Sequence, residues 1–159
     1  MILVTVGSVA PFDELIKKVD LLAGAHGEAR IKEPIMQIGN GKYIPKNGMW
    51  FRFEPDLSRY YRNAELIITH NGAGTLFEIL PLGKKVIVVP NPNTVQLENI
   101  DIVIKLAKEG HIIPCLKVED IESALKKAEN WIPLKYEKPT CTMHKLISRH
   151  LLSSKEKRS

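Results

Sequence analysis

Residues 66–82 read LIITHNGAGTLFEILPL and are the most informative stretch of the chain. They begin with an apolar and β-branched run, Leu66 to Thr69, which is typical of a buried strand. After a glycine-rich turn, apolar residues recur at helical spacing, which predicts a helix from Thr75 to Leu82 that ends near Gly83. A buried strand, a short loop and a helix form the repeating unit of a parallel sheet.

The same alternation extends in both directions along the chain. Apolar runs predict strands at 2–6, 33–38, 49–53, 66–69, 86–89 and 112–113. Helical spacing predicts helices at 12–22, 57–63, 75–82, 94–109, 118–130 and 144–152. We expect Asp56 to be the N-cap of the second helix and Gly110 to follow the end of the fourth. Strands that are apolar on both faces predict an α/β fold, a Rossmann-like parallel sheet with helices on both faces.

Length and composition favour a single globular domain. The chain has 159 residues, of which 44% are hydrophobic and 26% charged, and its net charge is +5. We expect one domain over residues 1–152, followed by a disordered basic tail at 153–159. Residues 25–46 are weakly patterned and are expected to carry a mobile loop. The sequence contains no apolar run of membrane-spanning length and no signal-peptide pattern, and its two cysteines form no disulfide framework. These features predict a cytoplasmic protein.

Polar and glycine-rich segments follow three of the predicted strands. They are Gly7-Ser8 after the first, His70 to Thr75 after the fourth and Asn91-Pro92-Asn93 after the fifth. Ligands of such sheets bind outside the carboxyl ends of the strands, so these segments predict a binding site at one edge.

The loop after the fourth strand is suited to a phosphate or diphosphate. Gly72 and Gly74 flank Ala73 and let a ligand approach the backbone, while the next helix presents its free N–H groups. Thr75 is expected to cap this helix or to bond a phosphate oxygen, and Glu78 is placed to accept both hydroxyls of a ribose. The alternative is a tight structural turn, with Glu78 only favouring the helix N-terminus.

Several kinds of site are disfavoured by the residues. Gly7 is not part of a G-x-G-x-x-G sequence, which argues against a dinucleotide enzyme, and no P-loop sequence is present. The histidines have no metal-ligand spacing, so neither a metal nor a cofactor is expected. Polar residues at the start of the predicted helix 94–109 are either capping residues or ligand contacts; they are Gln96, Glu98 and Asn99.

Together these motifs resemble the C-terminal, donor-binding half of the family 28 glycosyltransferases, which have the two-domain GT-B fold. The resemblance rests on Phe53 to Leu57, on Ala64 to Thr75 with Glu78, and on Gln96 to Glu98. The opening residues, Val4 to Ile16, are more similar to a stand-alone branch of small catalytic subunits. In this branch the two halves of an N-acetylglucosamine transferase are separate chains. The similarity extends from Met1 to about Leu125.

The resemblance implies a role for each residue of the predicted site. Backbone near Phe53 would meet uracil, and Glu78 would bind the ribose. Further donor-binding residues are implied for the diphosphate (Gly7, Ser8, Asn71, Gly72, Ala73, Gly74 and Thr75) and for the sugar (Gln96, Glu98 and Asn99). His70 is a candidate general base, although a positioning role beside the diphosphate is favoured. Relatives commonly have histidine where this chain has Val95, which bears on the choice of sugar.

The resemblance also implies the reaction and its partners. The chain would be the UDP-sugar-binding catalytic subunit of an inverting transferase, with N-acetylglucosamine as the candidate sugar. A membrane-associated partner subunit would hold a lipid-linked glycan acceptor and keep this chain peripheral at the membrane; no nucleic-acid partner is expected. The alternative is a regulatory nucleotide-binding module without chemistry of its own.

Overall fold

The computed structural model describes residues 1–7, 10–25, 31–93 and 100–137. Its strands are β1 (Ile2–Thr5), β2 (Pro34–Gln37), β3 (Met49–Phe51), β4 (Leu66–His70), β5 (Lys85–Val89) and β6 (Ile113–Pro114). Its helices are α1 (Asp13–Gly24), α2 (Ser58–Asn63), α3 (Ala73–Ile79), α4 (Ile100–Lys108) and α5 (Ile121–Asn130). Short 3-10 turns lie at Leu80–Leu82 and Val118–Asp120. The predicted helix 144–152 and the predicted basic tail lie outside the described residues.

The strands form one six-stranded sheet in the order β3-β2-β1-β4-β5-β6, and every pair is parallel. The predicted α/β class and parallel sheet are therefore confirmed. From β1 the chain builds outward through β2 and β3, and then returns to the other side of β1 with β4. The carboxyl ends of β1 and β4 therefore meet where the strand order reverses, which is the usual ligand position in open α/β sheets.

Each face of the sheet carries its own apolar core. Val4 and Ile68 pack beneath α1 and α5, while Leu3 and Ile67 pack beneath α2, α3 and α4. All four of these side chains are fully buried. Burial on both faces explains why the strands read as continuous apolar runs.

Two predicted helix starts differ from the structure. The helix predicted from Thr75 begins at Ala73, because Gly72 and not Thr75 is its N-cap. Asp56 precedes the N-cap of α2, which is Leu57, although its Oδ1 still accepts the N–H of Ser58 at 2.8 Å. In both places the polar side chain lies within two residues of the helix start but does not occupy the cap itself.

The end of α4 agrees with the prediction from Gly110. This glycine has a φ of +74°, and its N–H donates to the carbonyl of Ala107 at 3.1 Å. The next N–H, of His111, donates to the carbonyl of Leu106 at 2.9 Å. This pair of bonds is a Schellman motif, which satisfies the last carbonyls of the helix. Residues 94–99, the predicted first part of this helix, lie outside the described residues.

Candidate functional site

The candidate site lies at the carboxyl ends of β1 and β4. Thr5 and Thr69 are register partners at the ends of these strands, and the Thr69 hydroxyl donates to the Thr5 carbonyl at 3.1 Å. This register places Gly7 and His70 next to each other. The sequence predicted that the two loops converge, and the structure brings them together.

The His70 side chain separates the two glycine loops. A Cβ added to Gly7 would lie 2.7 Å from Cε1 of His70, and one added to Gly72 would lie 2.7 Å from its Nε2. Gly7 also has a φ of +38°, a conformation that residues with a side chain rarely adopt. The ring therefore fills the space that both glycines leave, which supports the predicted positioning role.

The surroundings of His70 favour its neutral form. Burial lowers the pKa of His70, while the nearby Thr5 carbonyl acts in the opposite direction without overcoming it. Its Nδ1 is buried and makes no well-aligned hydrogen bond with the described part of the chain. A neutral ring adds no positive charge to the site, so anion binding there would depend on backbone groups.

The first turn of α3 is open to a ligand. The N-cap, Gly72, has no side chain to cap the helix, and within the described residues a Cβ added to Gly74 would have no heavy atom within 4 Å. Gly74 and Glu78 are four residues apart and therefore lie on the same face of the helix. Both residues are exposed. This arrangement, the open face of α3, combines close backbone access with an exposed carboxylate.

Tyr61 on α2 supports the open face from beneath. Its side chain is buried, and its pKa is raised to about 12, mainly by burial and further by the charge of Glu78. A hydrogen bond with the Thr75 side chain opposes this rise. Thr75, which is half-buried, is thus held by α2 and does not cap α3. This contact was not predicted, because from the sequence Tyr61 is only an apolar position of a short helix.

Asn71 links three loops of the carboxyl edge. Its Oδ1 accepts the N–H of Asn91 at 3.1 Å, and Asn91 Nδ2 donates to the carbonyl of Pro11 at 3.3 Å. Both asparagine side chains are buried. Asn71 was predicted to bind the donor, and the structure places it where it holds the loops after β4 and β5 against the entry to α1.

Phe53 lies farther along the same edge. It is exposed and follows β3, which is separated from β4 by β2 and β1. Three strand spacings amount to roughly 14 Å, so Phe53 and α3 would meet different parts of an extended ligand. The other predicted donor contacts, Ser8, Gln96, Glu98 and Asn99, lie outside the described residues.

Two clefts flank the sheet at opposite edges. One of about 350 Å³ lies at the carboxyl edge and is lined by residues including Asn71, Asn91 and Leu116. A larger cleft of about 1200 Å³ lies at the amino edge, beside the first residues of β1, β4 and β5. The larger cleft is remote from the glycine loops, so size alone does not identify the site.

The described ranges offer few groups for metal binding or for thiol chemistry. They contain no cluster of three histidine, cysteine or acidic residues that could hold a metal ion. Cys115 is buried, and burial is the main reason that its pKa is raised to about 11, so its thiol stays protonated at neutral pH. No helix among the described residues is long and apolar enough to span a membrane.

The parallel sheet with glycine loops at its switch point defines the chain as one Rossmann-like half of the GT-B class. Similar solved structures share this fold. One is MurG of Acinetobacter baumannii, with a TM-score of 0.62 and 22% identity over 81% of this chain and 41% of that one. Another is the solution structure of ALG13, with a TM-score of 0.60 and 19% identity over 91% of this chain and 93% of that one.

The chain belongs to the glycosyltransferase family 28 C-terminal domain family, which it matches over residues 1–151. It is also similar to the mouse UDP-N-acetylglucosamine transferase subunit ALG13, with 33% identity over 125 residues. That alignment covers 70% of this chain and 10% of the mouse protein. The chain thus spans about a tenth of the length of the mammalian relatives that it matches.

Proposed function

We propose that this chain is the catalytic, donor-binding subunit of a two-part inverting glycosyltransferase that uses a UDP-sugar. N-acetylglucosamine is the candidate sugar, and a lipid-linked glycan held by a membrane-associated partner subunit is the acceptor. The observation that carries the proposal is the open face of α3, at the sheet's switch point, in a chain that matches family 28 over residues 1–151.

In this proposal, the donor lies along the carboxyl edge of the sheet. Glu78 accepts the ribose hydroxyls, and the diphosphate lies over Gly74, where the first amides of α3 donate to its oxygens. Gly7 and Ser8 lie beside the diphosphate on the side of β1, and backbone near Phe53 meets the uracil. Three polar residues outside the described ranges would contact the sugar; they are Gln96, Glu98 and Asn99.

The proposed reaction is a single displacement at the anomeric carbon. An acceptor hydroxyl oxygen forms a bond to that carbon, and the bond from the carbon to the diphosphate oxygen breaks with inversion. The electron pair of the broken bond leaves with UDP, whose added charge the α3 amides stabilise. The acceptor proton passes to a base on the partner subunit, while neutral His70 keeps the two loops in place.

The proposal of a partner is supported by the comparisons with known proteins. The mouse relative is named a subunit, and the match to MurG covers 41% of that chain. The same interaction would hold this chain peripheral at the membrane. A regulatory module would also bind UDP, so sugar transfer by the assembled pair distinguishes the two hypotheses.

The first test is calorimetric titration of the full chain with UDP, with several UDP-sugars and with NAD. We expect UDP compounds to bind and NAD not to bind. Replacing Glu78 by Ala removes a charged acceptor for two hydroxyls, which should weaken UDP binding by about 10- to 100-fold. The free energy of unfolding should stay within about 0.5 kcal/mol of the wild-type value, since Glu78 is exposed.

Glu129→Ala is the matched control, because it removes an exposed helical glutamate from α5 at the other edge of the sheet. It should leave UDP affinity unchanged. The same titrations are repeated on the chain co-expressed with its partner. Absence of UDP binding in both preparations, or equal affinity in Glu78→Ala and wild type, would refute the proposed donor site.

A further inference from the structure

One exposed segment beside the proposed donor site combines cationic and apolar side chains. Residues 42–52 read KYIPKNGMWFR and include three cations, three aromatic residues and no acidic residue. The segment comprises β3 and the connection that precedes it, at the edge of the sheet. We call it the β3 segment.

Several side chains of the β3 segment are exposed without a role in the core. Ile44 is 42% exposed, Met49 is 71% exposed and Trp50 is 40% exposed. The side chains of Lys42 and Lys46 are exposed as well. Met49 is in register with Ile35, which packs against the core beneath α2, so Met49 lies on the opposite face of β3 from Trp50. The apolar side chains flanked by the lysines are therefore Ile44 and Trp50.

The β3 segment is held in a fixed conformation by α1. The Asp13 carboxylate accepts the N–H of Lys42 at 3.0 Å. Asp20, which is buried, accepts the N–H groups of Lys46 at 2.9 Å and Asn47 at 2.6 Å. Its other oxygen accepts the Tyr43 hydroxyl at 2.6 Å. Both carboxylates are directed at the backbone, so the exposed side of the segment displays lysine side chains on an ordered backbone.

The exposed aromatic ring lies on the same side of the sheet as this connection. Trp50 is in register with Met36, whose side chain packs in the α1 core. Register partners of a parallel pair point to the same face, so Trp50 lies on the α1 face, where Asp20 holds residues 43–47. The lysines and Trp50 therefore contribute to one surface.

We propose that the β3 segment is a docking surface for an anionic phospholipid bilayer. Trp side chains favour the interface between lipid and water, and lysines are attracted to anionic head groups. The aromatic ring alone would also suit a protein partner, but Lys42 and Lys46 favour anionic head groups, because lysine is depleted at the centres of protein interfaces. The segment ends next to Phe53 of the proposed donor site, but Lys42, Lys46 and Trp50 have no role in donor binding, so this inference does not depend on that site.

The expected attachment is weak and reversible. Two lysines near an anionic surface contribute roughly a thirtyfold increase in partitioning, and the effect is screened by salt. Such contact orients a subunit on a membrane but is too weak to anchor it alone. It would therefore add to a second attachment, as peripheral proteins generally require.

The test is co-sedimentation of the full chain with vesicles of equal parts phosphatidylglycerol and phosphatidylcholine, at low and high salt. Wild type should bind at low salt, and Lys42→Gln with Lys46→Gln should lower partitioning roughly thirtyfold. Trp50→Ser should also release the chain. In a Trp131→Phe background, Trp50 fluorescence should shift to the blue on these vesicles and be quenched by brominated lipid.

The matched control is Lys126→Gln with Lys127→Gln, which removes the same charge from exposed positions of α5 and should preserve binding. No wild-type sedimentation, or equal sedimentation of both lysine pairs, overturns the proposal. A dimer in solution that Trp50→Ser converts to monomer would instead assign this face to a second copy and also overturns the proposal. Loss of UDP binding with vesicle binding retained would affect only the proposed donor site.

Discussion

Two glycines of the same loop, Gly72 and Gly74, have opposite surroundings. A Cβ at Gly72 would meet the His70 ring at 2.7 Å, whereas one at Gly74 would have no heavy atom of the described residues within 4 Å. Gly72 is therefore required by the packing of the protein itself. No contact with the described part of the chain explains Gly74, and a glycine in the first turns of a helix is unfavourable relative to alanine.

This contrast divides the site into a packed side and an open side. The packed side consists of Gly7, His70 and Gly72, and sets the distance between the loops after β1 and β4. The open side consists of Gly74 and Glu78 on one face of α3. Substitutions on the packed side should act through stability, and those on the open side through ligand affinity.

The largest expected effect is on the packed side. Gly7→Val places a branched side chain at a φ of +38° and against the His70 ring. Strained backbone and overpacking together should lower the free energy of unfolding by about 3 kcal/mol. Thermal denaturation should show a fall in Tm of roughly 10 °C.

The contribution of the ring is separated by a double-mutant cycle. His70→Ala removes the side chain that valine would meet, so Gly7→Val should cost less in that background. The difference between the two costs measures the contact. Equal costs in both backgrounds would mean that His70 does not set the position of the loop.

A smaller change in stability, of opposite sign, is expected from a substitution at Gly74. Gly74→Ala should raise the free energy of unfolding by as much as about 1 kcal/mol, because alanine favours the helix. The added methyl group should nevertheless reduce UDP affinity about tenfold, since it occupies the space proposed for the diphosphate; this corresponds to about 1.4 kcal/mol. Calorimetry and chemical denaturation of one protein sample measure both quantities.

Gly72→Ala is the matched comparison, two residues away. Its Cβ would meet His70 Nε2, so it should lower the free energy of unfolding by about 1–2 kcal/mol. If Gly74→Ala kept full UDP affinity, the open side would have no ligand and the division of the loop would fail.

The fold could be predicted from the sequence because local strand propensity and the pattern of buried residues indicate the same elements. Branched apolar runs such as Val86 to Val89 favour strands, and burial on both faces of the sheet gives them no polar alternation. The start of α3 was misplaced by two residues because glycine has low helix propensity, and the motif therefore read as loop as far as Thr75.

The site was only partly predictable, for a different reason. The glycines and Glu78 could be recognised because their residue types suit phosphate and ribose. The sequence could not separate Gly72 from Gly74, since the difference lies in the His70 ring that packs against one of them. The links from Asn71 to Asn91 and from Tyr61 to Thr75 are contacts between different elements, and no local pattern encodes them.

The smallest expected effect is a pH dependence that originates on the packed side. Burial lowers the pKa of His70 from its ordinary 6.5. Below pH 6.5 this imidazole therefore binds a proton more readily in the unfolded chain than in the folded chain. The free energy of unfolding should therefore fall as the pH drops through this range, with a slope of at most about 1.4 kcal/mol per pH unit from this group. Urea denaturation of wild type and His70→Gln measures it, and the variant should lose this slope because glutamine does not titrate. An identical slope in both proteins would show that His70 is solvated in the fold, and the packed side would then be open as well.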